Sequence, residues 1–151
     1  MFHCAIRLAA AIGALALCAP ACAQPIVPSD KQVSGVAVMC RKAADRFIVD
    51  WGPGFSTWVI DKCELSADER QLGLSIQDTL SQRSGVIVFE LIGAGFYRGQ
   101  FRTEVSPGSQ GFYTGQATLR FRADGVGSGQ WQMFGGLFVN SDGPLTVKPA
   151  P

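Results

Sequence analysis

The sequence predicts a mainly β domain, in which an antiparallel C-terminal meander of about four strands is joined by an N-terminal hairpin and one short helix. Two observations support this prediction. Four β-rich runs occupy the C-terminal half, and clusters of glycine, proline and small polar residues separate them. The 18 glycines and 8 prolines also favour a chain rich in turns. We expect either a small barrel or an α+β globule of sheet and helix.

Residues 1–23 have the composition of a secretory signal peptide. Arg7 supplies the positive charge, an apolar run follows, and Ala21-Cys22-Ala23 is an A-x-A cleavage site. The apolar run is shorter than the roughly 20 residues that cross a membrane as a helix. We expect cleavage before Gln24 and one mature domain over residues 24–151, periplasmic or secreted and without a membrane span.

Loss of this segment would narrow the chemistry of the chain. It removes His3, the one histidine of the sequence, together with Cys4, Cys18 and Cys22. Without an imidazole, the mature domain has no Ser-His-Asp or Cys-His mechanism and no His-ligated zinc or haem site. We therefore expect a protein that is not an enzyme and that needs no cofactor or metal.

Two cysteines remain in the expected mature domain, Cys40 and Cys63. In an oxidising compartment an even number of cysteines indicates disulfide bonds, so we predict a Cys40–Cys63 bond. Closing this loop would stabilise the fold by about 3 kcal/mol. A lipid anchor at Cys18 is disfavoured by the bulky residue before it, and one at Cys22 by the lack of a leading leucine. Lipid attachment nevertheless stays an open alternative.

The N-terminal part of the domain is ambiguous over residues 33–51. Its valine-rich run fits a buried strand, yet its apolar residues also follow helical spacing. Gly35 and the β-branched residues favour the strand. Phe47–Trp51 and Phe55–Ile60 flank Gly52-Pro53-Gly54, and this pattern predicts a β-hairpin.

The predicted helix covers residues 67–83. Ser66-Ala67-Asp68-Glu69 has the form of a capping box, and Leu72, Ile76 and Leu80 follow at helical spacing. The competing interpretation is a strand, because apolar residues also alternate in this segment and a glycine weakens a helix.

The C-terminal half predicts the meander and its register. The hexapeptide Gly-Phe-Tyr-x-Gly-Gln occurs at Gly95–Gln100 and Gly111–Gln116, which we interpret as two neighbouring strands with the same packing requirement. If the turns are short, one face of the sheet is apolar, with large residues beside small ones. Its rows are Leu91, Tyr97, Leu119 and Met133, then Phe89, Gly99, Ala117 and Gly135, then Ile87, Phe101, Gly115 and Leu137. The strands that form them are Val86–Ile92, Phe96–Val105, Gly111–Arg122 and Gly129–Asn140.

The groove of small residues in the second row is expected either to receive the helix of residues 67–83 or to mark a tight barrel bend. The opposite face is basic and aromatic, and its candidate binding residues are Arg98, Arg102, Phe134 and Phe138, since arginine and aromatic side chains are enriched in recognition surfaces. The alternative is a solvated face whose aromatic residues lie under the N-terminal hairpin.

Charge and motifs exclude several function classes. The net charge is +1 with scattered basic residues, which argues against nucleic-acid binding, and no phosphate-binding loop or nucleophile elbow is present. We expect an exported, non-enzymatic binding protein whose partner is a protein or an envelope component, as an inhibitor or secretion accessory. The alternatives are a carrier with a barrel pocket for a small apolar ligand, and a histidine-free hydrolase that uses Asp50 and Asp61.

Overall fold

The computed structural model describes residues 34–134 and 141–151, and for residues 44–46 it describes the backbone alone. In this part of the chain, eight antiparallel strands form a closed barrel. The mainly β class and the small barrel are thus confirmed at a coarse level, whereas the predicted signal peptide lies outside the described residues. In chain order the elements are α1 (Gly35–Arg46), β1 (Phe47–Asp50), β2 (Thr57–Leu65), β3 (Gln71–Asp78), β4 (Ser84–Gly93), β5 (Phe96–Glu104), β6 (Phe112–Phe121), β7 (Gly127–Phe134) and β8 (Asp142–Pro149).

The barrel closes between β1 and β8, which pair antiparallel with Val49 opposite Val147. Beside this pair, Lys148 Nζ lies 2.7 Å from Asp50 Oδ2. The predicted hairpin is confirmed, because β1 and β2 pair around the Gly-Pro-Gly turn. The sequence analysis missed β8, since Pro144 interrupts the pattern of a strand that pairs on both sides.

The ambiguity over residues 33–51 is resolved as a helix over Gly35–Arg46 followed by β1, so the strand favoured by Gly35 and the β-branched residues does not form before Phe47. Ser34 caps α1, its hydroxyl accepting a hydrogen bond from the backbone N–H of Ala37 at 3.2 Å. Val36, Met39 and Ala43 follow at helical spacing and are buried in the core. Burial of this face therefore outweighs the low helix propensity of the β-branched residues.

The helix α1 packs against the end of the barrel where β6 turns into β7. A Cβ atom at Gly35 would lie 1.8 Å from the carbonyl oxygen of Arg122, so this glycine allows the close approach of the helix. Cys40 on α1 and Cys63 on β2 lie at bonding distance with Cα atoms 5.2 Å apart, as the predicted disulfide requires.

The predicted helix over residues 67–83 is wrong, because this segment forms a turn, β3 and a second turn. The two leucines of β3, Leu72 and Leu74, are buried, whereas Leu80 is 82% exposed. Ser66 does not cap a helix: its backbone N–H donates to the carbonyl of Gln71 and closes the β2–β3 turn. The strand forms in preference to the helix because β3 pairs with β2 on one side and with β4 on the other. No helix therefore crosses the sheet from this segment.

The predicted register is confirmed for β4, β5 and β6. Phe89 is opposite Gly99, and Gly99 is opposite Ala117. Between β6 and β7 the predicted register is shifted by four residues from the observed one. The reason is a tight turn that begins at Arg122, whose N–H donates to the carbonyl of Val126. Ala117 consequently faces Trp131, whereas Gly135 and Leu137 lie outside the described residues.

The inner face of the barrel follows the predicted alternation of large and small residues. A Cβ atom at Gly99 would lie 2.7 Å from Cδ1 of Phe89, and one at Gly115 would lie 2.4 Å from Cζ of Phe101. Each glycine therefore provides the space that a ring on the neighbouring strand occupies. Among the described residues, no helix has the length and apolar character to cross a membrane.

We expect Gly99→Ala to lower the free energy of unfolding by about 1–3 kcal/mol, since the added methyl group has no room beside Phe89. Urea unfolding measures this loss. Gly93→Ala is the matched control, because a Cβ atom at Gly93 meets nothing within 4 Å. Equal stability of the two variants would contradict the described packing.

The Cys40–Cys63 bond is expected to stabilise the folded domain by about 3 kcal/mol, because it lowers the conformational entropy of the unfolded chain. Urea unfolding of Cys40→Ser/Cys63→Ser, compared with the wild type, measures this difference. The wild type in excess reductant should unfold like the double variant. If the unfolding midpoint of the wild type were the same with and without reductant, the predicted bond would be contradicted.

Candidate functional site

A cavity of about 380 Å³ lies at the end of the barrel opposite α1. We call this end the mouth, and it is formed by the β1–β2 and β3–β4 turns with the adjoining ends of β5, β6 and β7. The antiparallel order of the strands places these turns together, on the side away from the β6–β7 turn that contacts α1. The cavity is lined by Trp51, Gly54, Phe55, Ser56, Trp58, Arg83, Phe101, Thr103, Tyr113, Trp131 and Met133.

Aromatic rings form most of the cavity wall, and Trp51 is at their centre. Its ring makes edge-to-face contacts with Trp58, Phe101 and Trp131, at centroid distances of 6.4, 5.1 and 6.1 Å. Phe55 extends the cluster toward solvent through a perpendicular contact of 5.0 Å with Trp131. Such contacts stabilise aromatic pairs beyond simple burial and hold the wall in one arrangement.

Two glycines make room for the rings of the wall. The ring of Phe101 lies over Gly115, as described above, and a Cβ atom at Gly143 would lie 3.0 Å from Nε1 of Trp131. Both glycines face the ring across a strand pair, Gly115 from β6 and Gly143 from β8. The small residues of the sequence thus determine where the large aromatic side chains fit.

The turn after β1 holds Trp51 in place. Its carbonyl accepts a hydrogen bond of 2.9 Å from Nε1 of Trp131, which links β1 to β7 across the mouth. Next to it, Asp50 accepts from the N–H of Gly52 at 2.9 Å and pairs with Lys148. The hydrogen bond from Lys148, followed by that from Gly52, lowers the pKa of Asp50. Gly52 has φ +90°, a conformation that favours glycine.

Nε1 of Trp51 has no hydrogen-bond partner among the described residues. The side-chain atom is buried, and Trp51 as a whole is 6% exposed. Buried donors in folded proteins are satisfied in the great majority of cases, so this N–H is a marked exception in the wall of the cavity.

A buried carboxylate supports the rim of the mouth. Asp78, which is 1% exposed, accepts hydrogen bonds from the Leu80 N–H at 3.0 Å and the Ser81 hydroxyl at 2.5 Å. Arg83 Nη2 donates to the same carboxylate at 2.7 Å, and the guanidinium lies 5.3 Å from the centre of the Trp58 ring. Burial acts to raise the pKa of Asp78, but these hydrogen bonds outweigh it and hold the pKa well below its usual range.

The binding residues predicted from the sequence lie elsewhere. Arg98, Arg102 and Phe134 are exposed on the outer face of the barrel, and none of them lines the cavity. The guanidinium of Arg102 lies 3.4 Å from the centre of the Phe112 ring. The fourth predicted residue, Phe138, is outside the described part of the chain. The structure therefore places three of the four predicted residues on the outer face of the barrel.

The sequence analysis gave a barrel pocket as an alternative but did not identify the residues that line it, because they come from distant parts of the chain. The signal was present, since all three tryptophans of the sequence, Trp51, Trp58 and Trp131, line it. The hypothetical hydrolase pair does not coincide with this site: neither Asp50 nor Asp61 belongs to its described lining.

Neither a metal site nor a known relative adds to this description. Among residues 34–134 and 141–151, no group of three or more His, Cys, Asp or Glu side chains could hold a metal ion. The chain matches no family model, no curated protein and no solved structure in comparisons with known proteins.

We expect Asp78→Asn to destabilise the domain by about 1.5–3 kcal/mol near neutral pH, because it removes a charged acceptor. The pKa of Asp78 is lower in the folded than in the unfolded chain, where it is about 3.9. The ionised group therefore stabilises the fold above that value, and this contribution declines as the pH falls through the folded pKa.

Urea unfolding of the wild type and Asp78→Asn measures this effect as a gap in unfolding free energy that narrows below about pH 4. Asp61→Asn is the control, since Asp61 is exposed on β2. A gap that widened with acidification would contradict the described role of Asp78.

Proposed function

We propose that the chain is an exported binding protein that holds a small, largely apolar ligand in the cavity at its mouth. The observation that carries the proposal is the aromatic wall, in which Trp51 contacts three other rings around a cavity of about 380 Å³. Eight-stranded barrels have an interior wide enough for one small ligand. Export is supported by the N-terminal signal pattern and by the Cys40–Cys63 pair.

The size and chemistry of the cavity agree with this role. Ligand pockets typically enclose about 300–1,000 Å³ and are lined by apolar and aromatic residues with few polar groups. The cavity is at the lower end of this range, which favours a ligand of one or two fused or linked rings. Apart from the three tryptophans, the described lining residues with polar side chains are Ser56, Arg83, Thr103 and Tyr113.

A non-catalytic role is supported by the state of the carboxylate beside the cavity. The carboxylate of Asp78 accepts hydrogen bonds from Leu80, Ser81 and Arg83, and its pKa is lowered. A carboxylate in this state is a poor general base, because catalysis favours a pKa near the working pH.

The outer face supports a second candidate function, the recognition of a protein or envelope component. Val86 and Val88 are exposed large apolar residues on β4, and they line a surface groove together with Arg102 and Phe134. Exposed apolar residues beside an arginine are typical of binding surfaces. Two of the four binding residues predicted from the sequence, Arg102 and Phe134, line this groove.

The neutral dye N-phenyl-1-naphthylamine tests the cavity proposal. We expect it to bind with a rise in its emission and with energy transfer from the tryptophans, since all three line the cavity. Phe55→Ala should weaken binding about fivefold or more, because it removes a ring from the rim. Phe134→Ala is a matched control, since Phe55 and Phe134 are each 45% exposed.

Failure of the dye to bind the wild type would refute the cavity proposal. Binding that is lost in Phe134→Ala and kept in Phe55→Ala would place the dye on the outer face and favour the second candidate instead.

A further inference from the structure

Two tryptophans that line the cavity, Trp51 and Trp131, differ in the hydrogen bonding of their indole N–H groups. Nε1 of Trp131 donates to the carbonyl of Trp51 at 2.9 Å. Nε1 of Trp51, in contrast, is buried and has no partner among the described residues. A buried donor without an acceptor destabilises the protein, and an acceptor brought by a ligand removes that cost. The indole of Trp51 therefore points to a ligand with a hydrogen-bond acceptor.

The charge of the cavity restricts the ligand further. Arg83 is the one charged residue among the described residues that line it. Its guanidinium is already paired with Asp78 at 2.7 Å and lies against the ring of Trp58. An anionic ligand would have to compete with Asp78 for Arg83, and a cationic ligand would meet no unpaired carboxylate in the described wall. Either charge would lose its hydration without compensation.

The rings of the wall favour an aromatic ligand. Trp51, Phe101 and Trp131 meet at interplanar angles of 61–82°, so that their faces and edges are turned toward different directions. A flat ring entering such a cluster finds both edge-to-face and offset contacts.

We infer that the cavity binds an uncharged aromatic compound with one carbonyl-type acceptor, and that Nε1 of Trp51 donates to this acceptor. The inference rests on the proposed function, because it specifies the ligand class of the same cavity. Aryl ketones, esters and amides have the required chemistry.

Three probes of nearly equal shape test the ligand class. They are 2-acetylnaphthalene, which has a neutral acceptor, 2-isopropenylnaphthalene, which replaces the oxygen by a CH₂ group, and 2-naphthoate, which carries a charge. Each is titrated against bound N-phenyl-1-naphthylamine, and its displacement of the dye reports its affinity. The wild type is compared with Trp51→Phe, which removes the N–H and keeps a ring, and with Trp58→Phe as the control.

The quantity measured is the affinity of the ketone divided by that of the alkene, since lost ring contacts affect both probes alike. We expect Trp51→Phe to lower this ratio about fivefold to tenfold and Trp58→Phe to leave it unchanged. We also expect the wild type to bind 2-naphthoate at least about tenfold more weakly than the ketone. An unchanged ratio in Trp51→Phe, an equal fall in Trp58→Phe, or tighter binding of 2-naphthoate would each overturn the inference.

A second measurement does not depend on the folding of any variant. With ¹⁵N-labelled tryptophan, the ketone should shift one of the indole N–H signals of the wild type downfield, and the alkene should not. Equal shifts with both probes would overturn the inference. Failure of the proposed function is distinguishable, because the dye itself would then not bind.

Discussion

The pairing of β1 with β8 is the contact on which the rest of the barrel depends. β1 has four residues, Phe47–Asp50, yet it is bonded to β2 on one side and to β8 on the other. The ion pair of Asp50 with Lys148 lies on the same seam. Because the seam closes the sheet, no described strand is left with a free edge, and inward side chains from both halves of the sequence meet in one core. The cavity depends on it too, since Trp51 follows β1 directly and Trp131 comes from β7.

The elements that could be predicted are those in which local pattern and pairing agree. From β4 to β6, strict alternation and short turns determine both the inner face and the register, and the structure confirms them. Residues 66–84 carry helical and strand periods at once, and pairing with two neighbours decides for the strand. The first turn of α1 contains a glycine and two valines, which disfavour a helix, and burial of its apolar face against the end of the barrel outweighs them. The prolines of β8 conceal a strand that tertiary pairing stabilises.

The candidate site was harder to predict than the fold, because its residues come together only when the barrel closes. Trp51, Phe101 and Trp131 are separated by tens of residues, and no local motif connects them. A four-residue error in one register also moved Trp131 away from its true partner, Ala117, although an even shift left the inward face intact. Composition led instead to Arg98 and Arg102, whose charge identifies an outer surface but contains no information about the interior.

The hexapeptide that occurs on β5 and β6 has opposite surroundings in its two copies. In each, a tyrosine and a glycine two residues later occupy alternate positions of a strand. Because the strands are antiparallel, Tyr97 lies near the β2–β3 turn and donates to the carbonyl of Glu69 at 2.7 Å, whereas Tyr113 lines the cavity. The two copies of the hexapeptide thus have different surroundings because their strands run in opposite directions. The same strand pair therefore has two different ends: Tyr97 attaches the β2–β3 turn to the sheet, and Tyr113 contributes its ring to the cavity wall.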